Sequence, residues 1–282
     1  MKTRTQRTSK ENCASDEQIT NQKEWRASVN NPFNWPGGKR LLRGEIVKRF
    51  TKHRLYAEPF CGACWDLLSK PQLISRLEIV NDANTELANF LRCVRDKPEM
   101  LVERLRFRIR SQEDFEREKE LRRVGDEVTR AARFIWVTKN AFAGKRVGTK
   151  SATFGYGISE SRDFQNAVNK IYEMHRRLRG VYILNEDFRA IIERVDTSRT
   201  LFYCDPPYYS MPSYYACPFT RKDHEDLALM LRKIKGKFVL SYDDTQDIRE
   251  MYDWAVIEEV PVMYSMKKGG NITRCELIIT KR

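Results

Sequence analysis

A chain of 282 residues, 41% hydrophobic and 32% charged, is long enough to bury the core of one α/β domain with a smaller insertion. Its formal charge of +13, from 52 Lys and Arg against 39 Asp and Glu, favours a polyanionic partner such as nucleic acid. No stretch reaches the roughly eighteen apolar residues of a membrane span, and the polar first thirty residues lack the apolar centre of a signal peptide, which argues against membrane and secreted classes.

Seven cysteines, an odd number in a chain without a secretory signal, point to reduced thiols and a cytoplasmic setting. Residues 1–30 hold six basic and four acidic side chains without apolar periodicity, as expected of a disordered tail. Trp35-Pro36-Gly37-Gly38-Lys39 follows, a glycine loop with Lys39 able to face an anionic group. It lacks the spacing of a nucleotide-triphosphate loop. A helix is expected near 40–50 and a strand near 55–58, running into Glu58-Pro59-Phe60-Cys61-Gly62-Ala63-Cys64. There Gly62 permits close approach of backbone to a ligand. The Cys-x-x-Cys spacing suits a redox or zinc pair, but three isolated histidines supply no second half of a zinc site, and packing of a turn is the simpler reading. A strand near 77–81 ends at Asp82, twenty residues beyond Gly62, the spacing at which an acid reaches ribose hydroxyls.

Helices are expected near 85–95, 99–123 and 128–138. Residues 92–150 hold seventeen Lys or Arg against ten Asp or Glu, so +7 of the charge is concentrated there. Arg104, Arg106, Arg108 and Arg110 alternate with Leu105, Phe107 and Ile109, and Arg104 and Arg108 are candidates for phosphate contact. Residues 111–123 read instead as a solvated helix, with Glu and Arg or Lys at helical pair spacing. Beyond the apolar helix, Lys139, Asn140, Lys145, Arg146 and Lys150 lie in a glycine-containing loop and are candidates for base reading. Phe154-Gly155-Tyr156-Gly157 reads as a glycine turn. A helix near 164–179, strands near 181–185 and 200–204, a helix near 222–235, and strands near 237–241, 254–260 and 275–280 complete the chain.

The apolar run 200–204 ends in Asp205-Pro206-Pro207-Tyr208. The lone pair of an exocyclic amino nitrogen is delocalised into the base, so a catalyst must hold that nitrogen by its hydrogens. The Asp205 carboxylate and the Pro206 carbonyl can accept both N–H bonds, and Tyr208 offers a ring for stacking; this is positional and electrostatic catalysis without a covalent intermediate.

Taken in order, Trp35-Pro-Gly-Gly-Lys39, Glu58-Pro-Phe-Cys-Gly62, Asp82 and Asp205-Pro-Pro-Tyr208 resemble the Dam-like, D12-class DNA adenine N6-methyltransferases over roughly residues 31–282. The resemblance implies a Rossmann-like α/β methyltransferase sheet, discontinuous over 31–92 and 155–282, with a mainly helical target-recognition insertion at 93–154. It implies S-adenosyl-L-methionine as cofactor, held by Trp35, Lys39, Glu58, Phe60, Gly62, Asp82, Asp187, Phe188 and Asp205. It further implies double-stranded DNA as partner, base flipping, no membrane association, and a bacterial or phage setting of DNA methylation such as restriction–modification, as a monomer or a larger assembly. One departure stands out: Cys64 occupies the place of a second glycine in many relatives, with Trp65 and Asp66 behind it. Amino-methyl transfer to cytosine N4 or to RNA, and a non-catalytic DNA-binding protein on the same fold, remain as alternatives.

Overall fold

The computed structural model describes residues 31–33, 35, 39, 41–71, 75–142, 152–155, 158–210, 217–265 and 271–282. The tail 1–30, Gly37, Gly38, Gly157 and the loop candidates Lys145, Arg146 and Lys150 lie outside these residues. In chain order the elements are α1 (Arg43–Lys48), β1 (Leu55–Glu58), α2 (Trp65–Ser69), β2 (Leu77–Asn81), α3 (Thr85–Asp96), α4 (Pro98–Leu105), α5 (Gln112–Glu120), α6 (Glu127–Asn140), α7 (Ile158–Leu178), β3 (Val181–Leu184), α8 (Phe188–Val195), β4 (Thr200–Cys204), α9 (Arg221–Lys233), β5 (Lys237–Asp243), α10 (Gln246–Met251), β6 (Val256–Ser265) and β7 (Asn271–Thr280).

The seven strands form one sheet in the order β3-β2-β1-β4-β5-β7-β6. Pairs from β3 to β5 are parallel, and β7 runs antiparallel to both β5 and β6. Central strands covered on both faces must be apolar throughout, and β4 is buried at all five positions. Alternation sorts its side chains: Leu201 and Tyr203 face the layer holding α2, α3, α6 and α7, while Phe202 and Cys204 face α8, α9 and α10. The chain leaves β1 towards β2 and β3 and later returns through β4 to β5 on the other side. The carboxyl ends of β1 and β4 therefore flank the crevice where strand order reverses, the usual ligand position in an open α/β sheet.

All seven expected strands form, with β6 and β7 longer than the sequence suggested because they pair continuously from Val256↔Thr280 to Ser265↔Asn271. The expected single helix 99–123 is instead two. Arg108 and Arg110 turn away from helical geometry: Arg108 bonds Glu118 at 2.6 Å and lies over the Trp136 ring, and Arg110 donates to the Gly155 carbonyl. The Ser111 hydroxyl then restarts the helix by accepting from the Asp114 N–H at 3.1 Å. Phe107 and Ile109 are left 79% and 77% exposed. Helices α2, α8 and α10, of five to eight residues, were not anticipated.

The helices between β2 and β3 share one core with the sheet. Phe33, Phe90 and Phe134 meet at centroid distances of 5.4–5.8 Å, and Trp35 packs 6.0 Å from Phe134, so α6 is fastened to the segment that carries Lys39.

Candidate active site

A cavity opens at the carboxyl ends of β1, β2 and β4, with about 1030 Å³ of empty space counted out into its mouth. The turn after β1 forms its floor. Gly62 has φ +43°, and a Cβ there would stand 2.9 Å from Trp35 Nε1, so the glycine is required both by the left-handed backbone and by the indole packed on it. Cys64 also adopts a left-handed conformation (φ 54°) as it opens α2, a geometry that glycine takes more readily than cysteine.

Asp82 braces this turn. Its Oδ2 accepts from Gly62 N–H at 3.0 Å and its Oδ1 from Asn84 N–H at 2.8 Å, while burial pushes its carboxyl up and these two bonds pull it back. Each oxygen keeps a second acceptor site, so Asp82 remains able to meet hydroxyl donors. Asn81 ties the three loops together: its amide donates to the Pro59 and Glu186 carbonyls at 3.0 Å, and its Oδ1 accepts from Glu186 N–H at 2.9 Å. Phe60 and Phe188 form an aromatic wall, 5.1 Å apart, with Phe219 5.6 Å from each. Asp187, exposed, caps α8 and pairs with Arg189 at 3.0 Å.

At the end of β4, Lys39 reaches Asp205 Oδ1 at 2.7 Å with Glu276 of β7 at 4.0 Å, and its ammonium lies 4.5 Å from the centre of the Tyr208 ring. Tyr208 in turn donates its hydroxyl to Glu276. Ser241 of β5 donates to the same Asp205 Oδ1 at 3.0 Å. Burial raises the Asp205 carboxyl and Lys39 opposes the rise. With Lys39 and Ser241 both on Oδ1, Oδ2 is left for a donor from outside.

The expected residues thus divide. Trp35, Lys39, Phe60, Gly62, Asp82, Asp187, Phe188, Asp205 and Pro207 line one cavity. Pro206 is buried beside it and Tyr208 stands behind Asp205 on Lys39 and Glu276. Glu58 is not in the lining: it is 1% exposed, accepts the Tyr56 hydroxyl at 2.6 Å, and is pushed up to about 7 by burial, so it supports the floor from below. Asp66, Tyr203, Ser241 and Glu276 were not singled out as site residues. Each is a polar or phenolic group in an otherwise apolar run, and that was the available signal.

The candidates for DNA contact are less uniform. Asn140 is 1% exposed and donates its side-chain amide to the Trp136 carbonyl at 2.7 Å, which closes the end of α6 instead of presenting the amide to a base. Arg108 is occupied by Glu118 and Trp136. Arg104 of α4 is 55% exposed, with Thr129 at 2.9 Å and Asp126 at 3.9 Å, and Lys139 is half-buried near the end of α6. Among the described residues the six cysteines are free, no His, Cys, Asp and Glu cluster could hold a metal, and no helix is long and apolar enough to cross a membrane.

Residues 35–266 match the D12 class N6 adenine-specific DNA methyltransferase family. Among curated proteins the chain is 24% identical over 259 residues to the type II methyltransferase M.CviBI of Paramecium bursaria Chlorella virus NC1A, covering 87% of this chain and 96% of that one. It is 28% identical over 240 residues to the type II methyltransferase M.MjaIII of Methanocaldococcus jannaschii, covering 72% and 80%. It is 24% identical over 238 residues to the DNA N-6-adenine-methyltransferase of Escherichia phage P1, covering 78% of this chain and 30% of the phage protein. A match over most of the length, together with a mainly parallel sheet and Lys39 set against an acid at the reversal of strand order, means that the chain belongs to the D12 class of N6 adenine-specific DNA methyltransferases.

Proposed function

We propose that the cavity binds S-adenosyl-L-methionine and that the turn Asp205–Tyr208 receives the N6 amino group of an adenine extruded from duplex DNA. The observation that carries this reading is the arrangement at Asp205, which borders the cavity with one carboxylate oxygen held by both Lys39 and Ser241.

The lining fits the cofactor. Phe60 and Phe188 offer flat apolar surface to a purine, Asp82 lies at the end of β2 where ribose hydroxyls are met, and Trp35 and Lys39 border the remaining length. When bound, S-adenosyl-L-methionine supplies an electrophilic methyl group on a sulfonium. The chain does the rest by position. Asp205 and the Pro206 carbonyl accept the two amino hydrogens, which aligns the nitrogen lone pair; Asp205, fixed by Ser241 and the buried Lys39, does so without reorganising. Extrusion follows from access, because an amino group inside a paired duplex cannot reach this turn. Tyr208, held by Lys39 on its face and Glu276 at its hydroxyl, borders the place where the base would stack. Exposed Arg104 and Arg106, with Lys139 of α6 and the basic residues that follow it in the sequence, supply the DNA-facing charge, and the type II relatives support a sequence-specific modification role of the kind found in restriction–modification.

Incubation of duplex DNA with isotopically labelled S-adenosyl-L-methionine, followed by digestion to nucleosides and mass spectrometry, tests the reading. Labelled N6-methyldeoxyadenosine is expected. Label in N4-methyldeoxycytidine, or transfer to RNA alone, would overturn it.

A further inference from the structure

Between α4 and α5 the chain turns its side chains the opposite way from a turn shaped by burial. From Phe107 to Arg110 they alternate between outside and inside, and the inner places go to arginines. Arg108 pairs with Glu118 at 2.6 Å and lies 5.1 Å from the centre of the Trp136 ring; Arg110 donates to the Gly155 carbonyl and lies 5.1 Å from the centre of the Phe154 ring. The outer places go to Phe107 and Ile109, 79% and 77% exposed. Large apolar side chains are ordinarily the buried ones, and two of them side by side in water mark a contact surface.

The frame around this pair indicates what covers it. Arg104 and Arg106 flank it, both exposed, each meeting an acid only at 3.9 Å, and the Arg106 guanidinium lies 5.2 Å from the centre of the Phe107 ring. Apolar surface bordered by cations matches a groove of duplex DNA, where phosphates edge a floor of deoxyribose and base edges. A second copy of this chain fits poorly, because a symmetric contact would bring the same arginines against each other. The turn is also held rigidly to the rest of the basic insertion. Gly155, which anchors Arg110, donates its N–H to the Asn140 carbonyl at 2.8 Å, and Phe142 N–H donates to the Thr153 carbonyl at 2.7 Å, so the turn, the end of α6 and residues 152–155 form one unit.

We infer that the α4–α5 turn is an apolar DNA-contact element, in which Phe107 and Ile109 press into a groove of the duplex while Arg104 and Arg106 meet the phosphates on its edge. Arg108 and Arg110 serve it from behind, as the anchors that keep the two apolar side chains outward. The inference rests on duplex DNA being the substrate.

The test measures binding of the full chain to a labelled duplex over about 50–200 mM salt. Phe107→Ser combined with Ile109→Ser is expected to weaken binding about tenfold at every salt concentration, with a salt slope parallel to wild type because no charge is removed. Binding to labelled heparin, a polyanion without bases or grooves, should not change, and neither should the unfolding temperature, since both side chains are exposed in the free protein. Phe107→Leu with Ile109→Leu keeps the apolar surface and should bind the duplex within about threefold of wild type. Unchanged duplex affinity in the serine pair, or an equal loss on heparin, overturns the inference. Hydroxyl-radical labelling of the wild-type chain, read by mass spectrometry, decides the same point without any variant: oxidation of Phe107 should fall when duplex is added and not when heparin is added, and a Phe107 left unprotected by the duplex overturns the inference. A wild-type chain with no affinity for duplex DNA would take the proposed substrate down with it, whereas tight wild-type binding that the serine pair leaves intact removes this contact alone.

Discussion

Asp205 has its geometry from three separate elements: β4 ends at it, β5 brings Ser241, and the segment before α1 brings Lys39. Such a carboxylate contributes mainly when the amino nitrogen is becoming tetrahedral, so Asp205→Ala should lower kcat by about 10²–10³ while the folded state persists, as stopped assays and thermal unfolding would reveal. Near wild-type turnover in the folded variant would remove Asp205 from the mechanism. Glu58 makes a different prediction, of stability. Burial lifts its folded pKa to about 7, whereas in the unfolded chain it titrates near 4.3, as for any glutamate. Between these values the folded protein binds the extra proton. Its stabilising effect is complete below the unfolded value and is lost as pH rises through the folded one. The loss is on the order of 3 kcal/mol, reached by about pH 7. Glu58→Gln, which cannot ionise, should flatten the decline of unfolding free energy from pH 4.5 to 7.5 in urea titrations. An unchanged slope would place Glu58 among ordinary carboxylates.

At the scale of elements, α9 shows how the helices that frame the site are started. Thr220 accepts from Asp223 N–H while Asp223 accepts from Thr220 N–H, a reciprocal box, and Asp223 also binds Arg189 of α8. Thr220→Ala should therefore cost about 1 kcal/mol of unfolding free energy without altering methyl transfer. Thermal or urea unfolding at neutral pH would measure it, and a change below a few tenths would show that the box contributes nothing. The same capping logic explains what the sequence made legible. Strands β1, β2 and β4 were readable because strands buried on both faces must be apolar runs, and the acids that end two of them mark the ligand side of the sheet. Helix α4–α5 was read as one because Glu and Arg pairs kept helical spacing past residue 106. Its interruption depends on Trp136, Glu118 and Gly155, which local periodicity does not contain. Helix α2 is too short, at five residues, to show a period, so the sequence places Asp66 behind Cys64 without a helix around it. Ser241 and Glu276 were hidden for another reason: their roles arise only when β5 and β7 pair, with Ser241 opposite Ile278 and Asp243 opposite Glu276.

Over the whole molecule, the excess of thirteen positive charges must be separated into those that hold the fold and those free to meet phosphate. Arg108 is of the first kind: Glu118, shared with the buried Arg133, takes one side of it and Trp136 takes its face. Arg104 is of the second kind, 55% exposed, with its nearest acid at 3.9 Å, a surface pair worth little in water. Each phosphate contact changes the slope of log K against log salt by about 0.9, because one condensed counterion is released. Arg104→Gln is therefore expected to flatten that slope by about one contact, equally on specific and random duplexes, with no loss of thermal stability. Arg108→Gln should leave the slope unchanged and lower stability by roughly 1–3 kcal/mol, since the buried Glu118 loses one of its charged partners. Fluorescence anisotropy with labelled duplexes from about 50 to 200 mM salt, alongside thermal unfolding, separates the two. If both variants flatten the slope alike, Arg108 leaves Glu118 when DNA binds, and the α4–α5 turn, with Phe107 and Ile109 at its tip, rearranges on the duplex. If neither does, the charge that meets DNA lies outside this turn, on the surface around Lys139 and beyond.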